Sequence, residues 1–157
     1  MDNLLKLLED NATLTPEQLA VMFDKEQGEI KDLIRKYEAD GVILGYKAMI
    51  DWEKTDREYV TAMIDVKLSP QRDRGFDKIA EKIQNYPEIK GLYLMSGGYD
   101  LSVIVTGQTF QKVAMFVAKQ LAPMKDVMST ATHFILRRYK EMDVRLASEK
   151  DDRGGFI

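Results

Sequence analysis

The chain has 157 residues, of which 45% are hydrophobic and 31% charged, with a formal net charge of −3 at pH 7. These proportions are typical of a globular protein rather than a disordered one, and the length allows one domain or two small ones. Cysteine is absent, which excludes disulfides and thiolate metal sites, and no apolar run reaches membrane-spanning length. Because the N-terminus also lacks a signal-peptide pattern, the sequence predicts a cytoplasmic protein.

Charge is divided unevenly along the chain. Residues 1–54 hold 12 acidic and 7 basic residues, whereas residues 55–157 hold 14 acidic and 16 basic residues. Because neutralisation of phosphates is the main source of non-specific binding to nucleic acids, the acidic N-terminal part argues mildly against such affinity there.

Three short helices are predicted before residue 42. The second begins with Thr15 as N-cap, Pro16 at the first helical position and Gln18 three residues after the cap. The third carries one apolar stripe at helical spacing, formed by Ile30, Leu33, Ile34 and Tyr37. A tight connection between the second and third helices indicates a helix-turn-helix, plain or winged.

Polar residues opposite this stripe are candidates for reading DNA. Gln27, Lys31 and Arg35 stand four residues apart on one exposed line, where amide and guanidinium groups suit base edges and lysines suit phosphates. The full candidate set is Lys25, Gln27, Lys31, Arg35, Lys36 and Lys47. A solvated helix face is the alternative, because Glu26, Glu29 and Asp32 lie in the same helix and repel phosphates.

The remaining elements predict a second domain. Residues 42–51 are predicted as a strand leaving the third helix, and residues 52–58 as a hinge. Strands are predicted at residues 59–68, 89–96, 100–107 and 127–139, with helices after the first and third of them. This β-α-β-β-α-β order is the ferredoxin-like arrangement of the α+β class. The predicted domains are therefore residues 1–51 and 59–140, followed by a tail at residues 141–157.

Gly97 and Gly98 join the two middle strands. Adjacent glycines can adopt positive φ angles, so we expect the chain to reverse there. The turn is expected to leave N–H groups uncovered beside Tyr99 and Asp100, where a small polar ligand would fit. A plain hairpin turn with a surface aspartate is the alternative.

The sheet face away from the helices is expected to be half apolar. The first strand contributes Tyr59, Thr61 and Met63 to it, and the third contributes Ser102 and Ile104. Such a face favours a self-complementary dimer contact, with a solvated face as the alternative.

Several short motifs occur in the order found in one known family. They are Leu19-Ala20, Gly41-Val42-Ile43, Gly45-Tyr46, Gly98-Tyr99-Asp100, the run from Thr130 to Leu136, and Tyr139-Lys140. In this order and spacing, from about Leu4 to Lys140, the chain resembles the Lrp/AsnC (feast–famine) transcription regulators.

The resemblance implies a sequence-specific regulator of double-stranded DNA. It implies a homodimer, often assembled into tetramers or octamers, that responds to a small effector, typically an amino acid, and needs no other cofactor. It implies an effector pocket between dimers, formed by Gly97, Gly98, Tyr99, Asp100, Ser102, Thr132 and His133. In that pocket, Asp100 would receive an α-ammonium group and turn N–H groups an α-carboxylate.

The chain departs from the family pattern in two places. Residues 24–28 read Asp-Lys-Glu-Gln-Gly and lack the small hydroxyl residue that usually contacts phosphate at the start of the third helix. Residues 10–12 lack the basic residue often found at the end of the first helix. Both departures would weaken DNA affinity, so a regulator that has lost DNA binding is an alternative.

An enzyme is the other alternative. Proteins resembling this fold include sirohaem decarboxylases, and His133, Arg137 and Arg138 are the residues that would hold a carboxylated tetrapyrrole. However, His133 is the only histidine, which excludes two-histidine metal sites and Cys/His dyads. The sequence therefore favours a protein that is not an enzyme and binds no metal.

Overall fold

The computed structural model describes residues 2–69 and 75–146, with a helical unit up to Ile50 and a sheet-based unit from Asp51 onward. Each unit encloses its own cluster of buried apolar side chains. The predicted α+β class is confirmed. Among the residues described, none of the helices combines the length and apolar character that a bilayer span requires.

The helical unit consists of α1 (Asp2–Asp10), α2 (Pro16–Phe23) and α3 (Gln27–Ala39). The predicted start of α2 is confirmed, because Thr15 Oγ1 accepts from the Gln18 N–H at 3.3 Å. The Gln18 side chain in turn accepts from the Thr15 N–H at 2.9 Å, which completes a capping box.

A left-handed residue makes the connection between α2 and α3 short. Asp24, at the end of α2, has φ 51° and ψ 50°, a conformation that aspartate tolerates better than most side chains. The two helices then pack around a small core, which consists of Leu4, Leu8, Leu19, Ala20, Ile30 and Tyr37. This is the helix-turn-helix that the sequence predicts.

Residues 42–51 do not form a strand, so that prediction is wrong and no wing extends α3. Gly41, with φ 69°, ends the helix, and the N–H groups of Val42 and Ile43 both donate to the Tyr37 carbonyl, at 2.8 and 3.0 Å. The helical unit has no strand among residues 2–50 for this run to pair with, and Leu44 is 94% exposed. A β-branched run becomes a strand only where it finds a pairing partner.

The sheet-based unit has the predicted β-α-β-β-α-β order. Its elements are β1 (Val60–Leu68), α4 (Gly75–Ile83), β2 (Ile89–Leu94), β3 (Leu101–Gly107), α5 (Phe110–Phe116) and β4 (Val127–Phe134). A π-helical stretch, Val117–Leu121, continues α5. The four strands are antiparallel and lie in the order β2-β3-β1-β4.

Alternation along the strands divides the sheet into two faces. Ala62, Ile64 and Val66 of β1 are fully buried on the helix-covered face, where Ile64 lies opposite Val103 of β3. The residues between them belong to the other face, which we call the open face. Met63 of that face is 42% exposed.

The last strand is shorter than predicted. It ends at Phe134, after which the Ile135 N–H donates to the Thr61 carbonyl at 2.9 Å. Two short strands follow, β5 (Lys140–Glu141) and β6 (Val144–Arg145), which pair with each other. The predicted tail therefore begins inside this small hairpin, and its residues 147–157 lie outside the described residues.

The segment predicted as a hinge is folded within the sheet-based unit. Trp52–Lys54 forms a 3₁₀ turn. The Arg57 guanidinium lies 4.4 Å from the centre of the Trp52 ring and 5.4 Å from that of Tyr59. Arg138, which follows β4, lies 5.5 Å from the Tyr59 ring centre. Through these cation–π contacts, the segment packs next to Tyr59, which precedes β1, and Tyr59 in turn contacts Arg138, which follows β4.

Candidate DNA-reading helix and effector turn

Helix α3 exposes the row of polar residues predicted to read DNA. Gln27 is its first residue and is half-buried, whereas Lys31 and Arg35 are exposed. Because they are spaced by four residues, they follow one line along the helix. Lys31 and Arg35 are exposed on it, whereas Gln27, three residues before buried Ile30, borders the buried side. The row is therefore accessible and carried by a rigid element.

Each of three candidate cations has a carboxylate within 4 Å. The Lys25 ammonium lies 3.3 Å from Glu29, and the Arg35 guanidinium lies 3.7 Å from Asp32. The Lys31 ammonium lies 3.8 Å from Glu17, which belongs to α2. Hydrogen bonds from its own N–H and from the Thr15 hydroxyl, followed by the charge of Lys31, lower the pKa of Glu17.

The last two candidates lie apart from this row. Lys36 is exposed beside Arg35, whereas Lys47 lies on the irregular segment after α3. That segment is held to α3 by the Tyr46 hydroxyl, which donates to a Glu38 carboxylate oxygen at 3.1 Å. Partial burial, followed by this contact, raises the pKa of Tyr46.

The turn between β2 and β3 differs from its prediction. Neither Gly97 nor Gly98 has a positive φ, and a Cβ on either would meet nothing within 4 Å. The reversal spans residues 95–100 and is closed by the Met95 N–H, which donates to the Asp100 carbonyl at 2.8 Å. A loop of this length reverses the chain without a left-handed residue, and it leaves Gly97, Gly98 and Tyr99 exposed.

Asp100 is already engaged within the protomer. Its N–H donates to the Val66 carbonyl at 3.0 Å, so the expectation of an uncovered N–H at Asp100 is wrong. Its carboxylate accepts from the Leu68 N–H at 2.8 Å and from the Lys67 ammonium at 3.4 Å. The Leu68 N–H, followed by Lys67, lowers the pKa of Asp100.

Sequence analysis missed Lys67 as a member of this site. The signal that would have found it is the alternation of β1, which puts Lys67 on the same face as Met63 and Asp65. Lys67 and Asp100 are 33 residues apart in the sequence, so no local sequence pattern indicates that they pair.

The predicted residues of β3 and β4 divide between the two faces of the sheet. Buried Ser102 lies opposite Asp65 on the open face, and His133 lies opposite Met63 on the same face. Thr132 lies opposite Ile64 and therefore points to the other face. Adjacent strand residues alternate, so Thr132 and His133 face opposite sides of the sheet within a single protomer.

One protomer does not bring all seven predicted effector residues together. Strand β1 lies between β3 and β4, so these two strands are about 10 Å apart. Opposite Lys67, the residue that β4 supplies is Ser129 rather than Thr132 or His133.

A cavity of about 560 Å³ lies at the other end of the β2–β3 hairpin. Its lining includes Tyr86, Thr106, Lys112, Phe116 and Lys119, and no member of the predicted effector set. It is therefore separate from the turn.

The three residues named for an enzyme have different partners. His133 Nε2 lies 3.3 Å from an Asp65 carboxylate oxygen, whereas Arg137 lies over Tyr139. Arg138 donates to Thr61 and pairs with Glu141 at 3.6 Å. In the described part of the chain, no cluster of three metal-ligating side chains occurs.

A helix-turn-helix unit followed by a βαββαβ unit is the architecture of a two-domain regulator. The sequence model of the Lrp/AsnC ligand binding domain matches residues 61–144. The uncharacterized HTH-type transcriptional regulator YugG of Bacillus subtilis is 44% identical over 151 residues, which cover 96% of this chain and 91% of YugG. The chain belongs to the Lrp/AsnC family.

Solved structures show the same fold at lower identity. Escherichia coli AsnC has a TM-score of 0.68 at 18% identity, covering 87% of this chain and 90% of AsnC. The transcriptional regulator NMB0573 of Neisseria meningitidis, solved as a complex with L-Met, has a TM-score of 0.70 at 19% identity. That match covers 86% of each chain.

Proposed function

We propose that the protein is a cytoplasmic DNA-binding transcriptional regulator, not an enzyme, whose activity responds to an amino acid. The observation that carries the DNA-binding part is the row of half-buried Gln27, exposed Lys31 and exposed Arg35 on the second helix of the helix-turn-helix. In this motif the second helix enters the major groove, where these side chains can contact base edges and phosphates. Lys25, Lys36 and Lys47 supply further positive charge in the same unit.

The effector proposed is an amino acid bound at the β2–β3 turn, without any other cofactor. Family membership and the L-Met complex of the Neisseria meningitidis relative favour this class of ligand. Exposed Gly97, Gly98 and Tyr99 form the accessible part of the site, and Asp100 supports it through Leu68 and Lys67. Because Asp100 is engaged in this way, we assign it chiefly to holding the turn in place.

A second copy of the chain completes this site in our proposal. Thr132 lies on the other face of the sheet, and His133 lies on β4, which β1 separates from β3, so neither joins the turn within one protomer. Ser102 follows Asp100 by two residues and borders the turn. Met63 and Ile104 give the open face an apolar centre that suits a self-complementary contact between two copies. A homodimer that assembles further, to a tetramer or octamer, would therefore link effector binding to the number of DNA-reading helices presented.

DNA binding is tested with the double substitution Lys31→Ala and Arg35→Ala. Duplexes selected from genomic fragments by the wild-type protein serve as probes in fluorescence anisotropy. Each lost base or phosphate contact is expected to weaken binding, so we expect a loss of about tenfold or more. The matched control is Lys78→Ala and Lys82→Ala on exposed positions of α4, which should bind normally. Unchanged affinity in the first variant would exclude the groove assignment.

The effector is tested by thermal denaturation in the presence of each of the twenty amino acids. A ligand at a hundred times its dissociation constant stabilises the folded state by about 2.7 kcal/mol, so one amino acid should raise Tm by several degrees. Tyr99→Ala should abolish that shift while leaving the Tm of the free protein unchanged, because Tyr99 is exposed. A normal shift in this variant would mean that the ligand binds elsewhere.

A further inference from the structure

The DNA-reading helix has no net charge of its own. Helix α3 contains three basic residues and three acidic ones, which are Lys31, Arg35, Lys36, Glu29, Asp32 and Glu38. Residues 1–50 as a whole hold ten acidic and six basic residues. A unit that docks on a polyanion is thus itself acidic, although most non-specific affinity for DNA comes from positive charge.

The carboxylates are placed against the cations that would contact DNA. Glu29 and Asp32 lie on α3 within 3.3 and 3.7 Å of Lys25 and Arg35. Glu17 reaches Lys31 from α2, at 3.8 Å. Since the partners on both sides of these pairs are solvent-exposed, the pairs add little to folding stability. These pairs do, however, change the electrostatics: the carboxylates make the electrostatic potential around the row less positive than its cations alone would produce.

We propose that Glu17, Glu29 and Asp32 act as specificity residues that suppress sequence-independent binding to DNA. A cation that keeps a carboxylate neighbour contributes less to phosphate neutralisation and to counterion release. Contacts from Gln27 to base edges carry sequence information and do not depend on net charge. The carboxylates therefore weaken binding to random DNA more than binding to a matched site, which widens the ratio between the two.

This inference rests on the proposed function, because the neutralised cations must be those that face DNA. A single helix-turn-helix unit whose phosphate contacts are weakened by carboxylates binds DNA weakly. Stable binding therefore requires several units on one DNA molecule.

The test measures binding of the full-length protein to a random-sequence duplex of 30 base pairs over a series of KCl concentrations. The main variant is the double substitution Glu29→Gln and Asp32→Asn, and Glu17→Gln is measured separately. We expect tighter binding by roughly twofold to fivefold per carboxylate, the factor that matches the strength of an exposed ion pair. The slope of log affinity against log salt should steepen by about 0.9 for each additional phosphate contact.

The control variant carries the same change in net charge at a distance from α3. Asp77→Asn with Glu81→Gln alters two exposed carboxylates of α4 and should leave binding unchanged. An equal gain in this control would attribute the effect to overall charge and overturn the proposal. Wild-type affinity and slope in the Glu29→Gln, Asp32→Asn variant would overturn it as well.

The Lys31→Ala, Arg35→Ala variant, measured on the same duplex, separates this inference from the proposed function. If that variant loses affinity while the carboxylate variant gains none, only the suppression by carboxylates is wrong. If it loses nothing, the assignment of α3 to the groove fails, and the inference fails with it.

Discussion

In the helical unit, the candidate DNA contacts are side chains four residues apart on one helix. In the sheet-based unit, by contrast, Asp100 depends on a backbone N–H 32 residues earlier in the chain. The first arrangement is local and follows from helical periodicity alone. The second requires the sheet to be assembled before the turn can take its shape. The DNA-reading site therefore depends on sequence spacing, whereas the turn depends on tertiary structure.

The two units also differ in the size of their cores. In the described residues, the buried cluster of the helical unit has six members and that of the sheet-based unit has thirteen. Because hydrophobic burial is the main stabilising term, the helical unit has less stability to lose.

The largest expected effect comes from opening a cavity in each core. Ile30 is 1% exposed in the helical unit and Ile64 is fully buried in the sheet-based unit, so each Ile→Ala change should cost about 2–5 kcal/mol. Hydrogen exchange measured by mass spectrometry should show Ile30→Ala unfolding residues 2–50 while residues 60–69 stay protected. Equal loss of protection in both units would mean that they unfold together and do not differ in stability.

A smaller effect is expected where α5 packs on the end of β3. A Cβ at Gly107 would lie 2.9 Å from Cγ2 of Val113, which is buried, so Gly107→Ala should cost about 1–3 kcal/mol through overpacking. Gly98→Ala is the matched control at the other end of the same hairpin, where a Cβ meets nothing within 4 Å. Urea denaturation should show the control within about 0.5 kcal/mol of wild type. A costly Gly98→Ala would indicate that the turn is under strain.

The smallest expected effect is a dependence of stability on pH through Asp100. Its pKa is lower in the folded protein than its ordinary value near 4, because the Leu68 N–H and Lys67 favour the carboxylate. The carboxylate therefore adds stability above the unfolded pKa, and that stability is lost as pH falls through the folded pKa. Asp100→Asn should lower Tm by a few degrees at pH 7, and the difference should shrink towards pH 3. A difference that does not change with pH would argue against an electrostatic role.

Sequence patterns predicted the elements well where the evidence was local. The capping box at Thr15 and the alternation through Ile64 both appear in the structure as expected. The predictions failed where the outcome depended on a distant partner. Residues 42–51 have strand-like composition but no strand in the helical unit to pair with.

The candidate DNA-reading row could be predicted from the sequence because it also depends on local spacing. Gln27, Lys31 and Arg35 follow from helical spacing, whereas the Glu17–Lys31 pair joins two helices and could be seen only in the folded unit. At the turn, the pairing of Lys67 with Asp100 depends on the register between β1 and β3. The sequence of either strand alone does not indicate that register.

The open face carries a natural spectroscopic reporter. His133 is the only histidine in the chain, and its Nε2 lies 3.3 Å from an Asp65 carboxylate oxygen on that face. One imidazole means one C2 proton resonance, which can be assigned in an NMR spectrum without labelling or substitution. A neighbouring subunit placed over the face would change the surroundings of this ring, so the position and width of a single line would report on subunit association.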